Sequence, residues 1–426
     1  MWLMLPRPTI DIEPGDQDIV FYYRAQFWDL PQEIINQIVD SLEDDTDALR
    51  ACASAHRCMT WAAQRILHRA LDWKFGKGRR RSENMYLRPA LATCVRELRL
   101  RSVPDFKDSA WKVMTRFTRL EVLTLSLLKN KCHWDLVQLT TIGRDFFRKM
   151  FPNVTSLTIA EGLFSRVQDF LFFLSAFPNV TTLKISNVRF NDFGHESSDT
   201  DELQPSPPSA IFPEQVLAEI PCPNLRNLDL SFRCLPTDHC FRTLLRDWLV
   251  PLAQVAQPGF KLKWYNPDSD DTYMFPRLVR TFAPVLGSLE VTLPDSAMSI
   301  AEFGVENCTR LETISFVDLC RHGYYFQQRA PNGDGWALKL LAQIKSCHLK
   351  TVMLGFTQDP RRGCTDMFNF RRLKRTLLRP EFAHTQVLIG PCCDVIWDML
   401  NRNLGTGQEG LDATDEDRIW GKLELD

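Results

Sequence analysis

Apolar residues return along this chain in two rhythms. Between Trp28 and Leu42 they step by four: Ile34, Ile38 and Leu42 line one face, with Ile35 and Val39 beside them. That period predicts an amphipathic helix. Pro31 suits its first turn, where a missing N–H costs nothing, and Glu33 places negative charge at the positive helix end. The run Glu43-Asp44-Asp45-Thr46-Asp47 breaks the helix. Asp47 can cap a second one carrying Ala48, Leu49, Cys52 and Ala53. A third helical stretch is expected over about Thr60 to Leu71, with Trp61, Ile66 and Leu67 apolar.

Beyond residue 90 the rhythm changes to apolar-x-x-apolar-x-apolar. Copies begin at Val95, Leu120, Val154, Val180, Leu225, Leu286, Leu311 and Leu349. A weaker strand near Phe260 to Trp264 fills the gap before Leu286. The lead-in repeats too: Phe151-Pro152-Asn153, Phe177-Pro178-Asn179 and Cys222-Pro223-Asn224 each precede a copy, and proline with asparagine suits a turn entering a strand. The last two apolar positions of each copy are two apart, so they share one strand face. Helix-like stretches such as Arg166 to Leu174 lie between copies. A strand and a helix per unit, stacked side by side, predict a solenoid. Outward strand positions, among them Thr124, Thr158, Lys184 and Asp229, become candidates for holding a partner.

These residues carry a resemblance. The opening Leu30-Pro31-x-Glu33-Ile34, the acidic break, Leu49-Arg50-Ala51-Cys52 and Ala63-Gln64-Arg65-Ile66-Leu67 together resemble an F-box of the style common in mushroom-type fungi. The family usually has a tryptophan some seven residues after the cysteine; here Met59 stands there and Trp61 lies two further on. The later region resembles the leucine-rich repeats found behind many F-boxes, without that family's regular asparagine or cysteine after the strand. The fold class implied is α/β: a short N-terminal all-α F-box module followed by an irregular leucine-rich repeat solenoid. The resemblance also implies docking on the Skp adaptor of a cullin–RING ubiquitin ligase, through Leu30, Pro31, Ile34, Ile38, Leu49 and Cys52. The repeats would hold a protein client, so that catalysis belongs to other subunits and this chain acts by proximity. A repeat scaffold without a ligase, or an enzyme on another α/β fold, are the rival readings.

On this basis residues 1–27 are an arm, 28–73 the module, 74–90 a basic linker, 91–404 the repeats and 405–426 an acidic tail, within which Ile419 and Trp420 can fold back on the open end. Segment 191–214 has six acidic residues and no Lys or Arg, and reads as an insertion. Lys77 to Arg81 is a basic cluster. A second basic stretch, with Arg361, Arg362, Arg371, Arg372 and Arg375, has Leu373 and Leu377 spaced for an amphipathic helix, and its arginines are candidates for gripping an acidic client.

Composition narrows the functions. The formal net charge of −2 in 426 residues argues against bulk nucleic-acid binding. Thirteen scattered cysteines fit buried free thiols in a reducing compartment, cytoplasmic or nuclear. No apolar run is long enough to span a bilayer. The sequence has no Gly-x-Ser-x-Gly elbow, no phosphate-cradling glycine loop, no Cys-x-x-Cys and no His-Glu-x-x-His. No catalytic residue, cofactor or metal ligand is therefore assigned.

Overall fold

The structure is a computed structural model. It describes residues 30–73, 79–101, 110–126, 144–164, 166–190, 220–231, 238–265, 273–293, 300–317, 319, 336–355, 370–389 and 423–425. The arm at 1–27, the acidic segment 191–214 and Ile419 and Trp420 lie outside these. The chain divides into two compact units, Met1–Leu67 and His68–Asp426.

The first unit holds three helices: α1 (Gln32–Asp40), α2 (Thr46–Ala55) and α3 (Arg57–Leu67). Ile35 and Val39 of α1, Leu49 of α2, and Ala62 and Ala63 of α3 form its buried centre. Gln32 Nε2 donates to Cys58 O at 2.9 Å, and Arg65 Nη2 to Asp40 Oδ1 at 2.6 Å. These bonds tie α1 to α3 near both ends, so the two helices run side by side in one direction. The acidic break works two residues earlier than the sequence suggests. Asp45, not Asp47, caps α2, its carboxylate accepting from the N–H groups of Asp47 and Ala48 at 3.1 and 2.9 Å. The third helix also starts earlier, at Arg57, and stops at Leu67.

It stops because the chain enters a strand. Residues assigned to the end of the module become β1 (Ala70–Trp73), the edge of the sheet that builds the second unit. The stretch at 74–90 is likewise not a plain linker: it contains the helix Arg79–Tyr86, whose Tyr86 packs edge-on against Phe117, ring centres 5.7 Å apart.

The sheet has twelve strands in the order β1, β2 (Glu97–Leu100), β3 (Val122–Ser126), β4 (Ser156–Ala160), β6 (Thr182–Ser186), β8 (Asn227–Ser231), β9 (Phe260–Tyr265), β10 (Leu286–Thr292), β11 (Thr313–Phe316), β12 (Thr351–Leu354), β13 (Gln386–Ile389) and β14 (Leu423–Leu425). Every pairing is parallel. A small second sheet pairs β5 (Leu163–Phe164) with β7 (Arg189–Phe190). Helices and turns fill the connections, as parallel pairing requires. This is the α/β repeat solenoid that the spacing predicts. β9 falls where the weaker strand was expected. β1, β13 and β14 extend the array at both ends beyond the eight clear copies.

Register explains the pattern. Leu98, Leu123, Leu157, Leu183, Leu228, Leu262, Leu289, Ile314, Val352 and Val387 are Cα partners in sequence, one per strand, and all are buried. A second buried row runs from Trp73 through Leu100, Leu125, Ile159, Ile185, Leu230, Trp264, Val291 and Phe316 to Leu354. Each such side chain contributes about 1.5–3 kcal/mol by leaving water. Spacing between paired strands is irregular, from 25 residues between Glu97 and Val122 to 45 between Thr182 and Asn227. The long interval contains the acidic segment.

The repeating lead-in supplies the turn chemistry. Asn153 Nδ2 donates to Thr118 O at 2.8 Å, Asn179 to Pro152 O at 2.9 Å, and Asn224 to Pro178 O at 3.2 Å. Each asparagine thus satisfies a carbonyl in the turn of the unit before it. The residue ahead of each Pro-Asn, Phe151, Phe177 or Cys222, is buried beneath the turn. One irregularity lies between β9 and β10, where the register shifts and Gly287 lies so close to Gly259 that a Cβ would stand 2.7 Å from the Gly259 Cα.

Candidate functional site

The helical unit presents the first candidate surface. On α1 the buried positions Ile35 and Val39 are one turn apart, and so are Ile34 and Ile38, on the neighbouring stripe. The unit's own centre takes the first pair and leaves the second in solvent: Ile34 is 41% exposed and Ile38 39%. Pro31 stands just before the helix, not in its first turn. Its carbonyl accepts from the N–H groups of Ile34 and Ile35 at 3.0 and 3.2 Å, which fixes where the exposed stripe begins.

The six residues that the resemblance implies for docking therefore separate. Pro31, Ile34 and Ile38 are exposed. Leu30 and Cys52 are half-buried against the unit's centre. Leu49, 1% exposed, is a core residue and has no surface to offer. Trp61 was not among the six, yet it is 49% exposed on α3. Its side chain lies on the helix one turn before Arg65, the residue that reaches Asp40 of α1. The sequence already sets this tryptophan apart, two residues beyond the position where the F-box spacing places one and Met59 stands.

The strand face of the solenoid is the second surface. Thr124, Thr158, Lys184 and Asp229 fall in one register row on four successive strands, so the structure brings all four together. The row continues outward to Asp72 and Arg99 on one side and to Lys263, Glu290, Ser315 and Met353 on the other. Four of its charges are paired in register: Lys184 Nζ lies 3.1 Å from Asp229 Oδ2, and Lys263 Nζ 2.6 Å from Glu290 Oε2. Both pairs are open to solvent, so each contributes at most about 1 kcal/mol. Asp72 instead meets Arg101 outside the row, and Arg99 forms no ion pair among the described residues. Mostly polar side chains otherwise cover β3 to β8, namely Ser126, Ser156, Thr182, Ser186, Asn227 and Ser231, with Val122 and Ala160 between them.

The second basic stretch forms the helix Phe370–Leu377, with Leu373 and Leu377 buried and Arg375 exposed. It is amphipathic, as its spacing predicts. Arg372 is half-buried, and the Arg371 side chain and Arg361 and Arg362 lie outside the described residues. This helix is not part of the strand-face row.

Titratable groups in the interior serve packing. Burial pushes the Cys222 thiol up to about 12, and burial with nearby Glu306 does the same for Cys308. Such thiols are inert. The described cysteines are all free. Burial also raises the Asp169 carboxyl, against the opposing pull of Arg166. Among the described residues, no group of three or more His, Cys, Asp and Glu is placed to hold a metal ion, and no helix is long and apolar enough to cross a membrane.

Comparison with known protein families finds no match, and comparison with curated proteins finds none. Among solved structures, the chain is similar to the crystal structure of the Rad7 and Elc1 complex in yeast, at 12% identity over 92% of each chain with a TM-score of 0.36. At that score the likeness decides nothing about function.

Proposed function

We propose that this chain is a client-recruiting adaptor of a Skp–cullin–F-box ubiquitin ligase, which docks on the Skp adaptor through its helical unit and holds a protein client on its repeat array. The observation that carries this reading is the Ile34–Ile38 stripe. The unit's centre is already closed by Ile35, Val39 and Leu49, so the exposed pair has no work within it. Covering the two-fifths of each isoleucine that remains exposed would contribute about 1 kcal/mol each. They stand where the F-box resemblance puts docking residues, beside the Leu30-Pro31 opening.

In this role the chain performs no chemistry. It raises the effective concentration of a client beside the ligase's other subunits. The polar strand face suits a specific, reversible protein contact, and the buried cysteines need no catalytic part. Purification after co-expression with a Skp adaptor tests the reading. The wild-type chain is expected to co-elute with the adaptor, and Ile34→Asp/Ile38→Asp to elute alone with unchanged circular dichroism. A well-folded wild-type chain that forms no complex would leave a repeat scaffold without a ligase as the account.

A further inference from the structure

The strand face carries its charges in rows and a rim, and most of them are matched within the sheet. Arg99, exposed between Asp72 and Thr124 in register, forms no ion pair among the described residues but has no second cation beside it in its row. In the row through Thr124, the cations Lys184 and Lys263 each meet an acid on the following strand. In the rim, where the chain enters the strands, Arg96 pairs with Glu121, and Lys350 Nζ lies 2.9 Å from Glu312 Oε2. Between these, Thr181 Oγ1 donates to Thr155 O at 3.2 Å. Two neighbouring unmatched cations stand at β8 and β9. Arg226 in the rim and Lys261 at the start of β9 are neighbours: the Lys261 N–H donates to Arg226 O at 2.8 Å. Both side chains are exposed, and neither forms an ion pair among the described residues. The positions that flank Lys261 in register, Asn227 and Ser288, are short and uncharged, so an anion can approach.

We propose that Arg226 and Lys261 bind a carboxylate-rich, extended segment of the protein client. This rests on the adaptor reading above and names the chemistry of the client. Neighbouring strands are about 5 Å apart, and alternate side chains of an extended segment recur on one face every ~7 Å, so two successive acids of such a segment come within reach of the two flexible cations. A single phosphate is gripped best by donors that converge on it. Here the cations come from two neighbouring chain segments, one entering β8 and one in β9, and both are exposed, which favours two separate carboxylates. Nucleic acid would need a run of cations, since its affinity is built from many phosphate contacts; the next row of this face is neutral.

The test uses the full chain and a short fluorescein-labelled peptide with glutamate at alternate positions, followed by fluorescence anisotropy. The wild-type chain should bind it saturably and more weakly as salt rises, and Arg226→Glu/Lys261→Glu should weaken binding about tenfold or more. Lys149→Glu/Lys345→Glu changes exposed cations elsewhere by the same total charge and should leave binding intact. Absence of wild-type binding, equal weakening in both variants, or displacement of the peptide by a single-stranded oligonucleotide at lower concentration would each overturn the proposal. The Skp complex, measured on the same proteins, should persist in both variants; its absence in wild type would sink the adaptor reading while the anisotropy still reports on this site.

Discussion

The helical unit and the repeat array bury their apolar residues to opposite effect. The helical unit closes its centre with five side chains, two of them alanines, and leaves Ile34, Ile38 and Trp61 in water. The array threads two unbroken rows of buried side chains through its strands. Its exposed apolar residues, such as Leu87, Val255 and Met353, are scattered over a much larger unit, as on any protein surface. The contrast teaches where affinity for a partner should come from. In the helical unit it comes from apolar surface left over by folding. On the array's strand face it comes from polar and charged side chains, because that array has already used its leucines inward.

Changes that break the array should cost most. Leu183→Ala empties a fully buried position in the first row and should destabilise by about 2–5 kcal/mol in urea unfolding. Gly287→Ala comes next, since its Cβ would meet the Gly259 backbone; a loss of about 1–3 kcal/mol is expected. Asn179→Ala removes one turn bond to Pro152 and should cost about 0.5–1.5 kcal/mol. The smallest effect runs the other way. Burial holds the Asp169 carboxyl above its ordinary range, so charging it opposes folding. Between the ordinary and the raised value, stability contributed at this site falls as pH rises. Asp169→Asn should therefore raise the melting temperature at neutral pH, with the gap closing as pH falls through the carboxylate range. An asparagine variant less stable at neutral pH would contradict this.

Much of the array was legible because its signal is redundant. Strand spacing and the Pro-Asn lead-in repeat together, and both reflect one physical fact: each unit stacks on the last. The row Thr124, Thr158, Lys184 and Asp229 could be picked from sequence because alternation along a strand fixes which side chains point out. β1 was not legible, since Ala70-Leu71-Asp72-Trp73 lacks a lead-in and follows directly on a helix. The role of the lead-in asparagines as donors to the preceding turn was also hidden, because it is a contact between units and not a local pattern. In the helical unit, period four found α1 but could not tell Leu49, which the centre takes, from Ile34, which it does not. Both are apolar at helical spacing, and only packing separates them.

The most direct test is hydrogen–deuterium exchange of the full chain with and without a Skp adaptor. The account predicts slowed exchange confined to the helical unit, centred on residues 30–42 and reaching Trp61, with the strands of the array unchanged. Protection in β3 to β10 with none at α1 would contradict it, since the adaptor would then be occupying the surface assigned to the client.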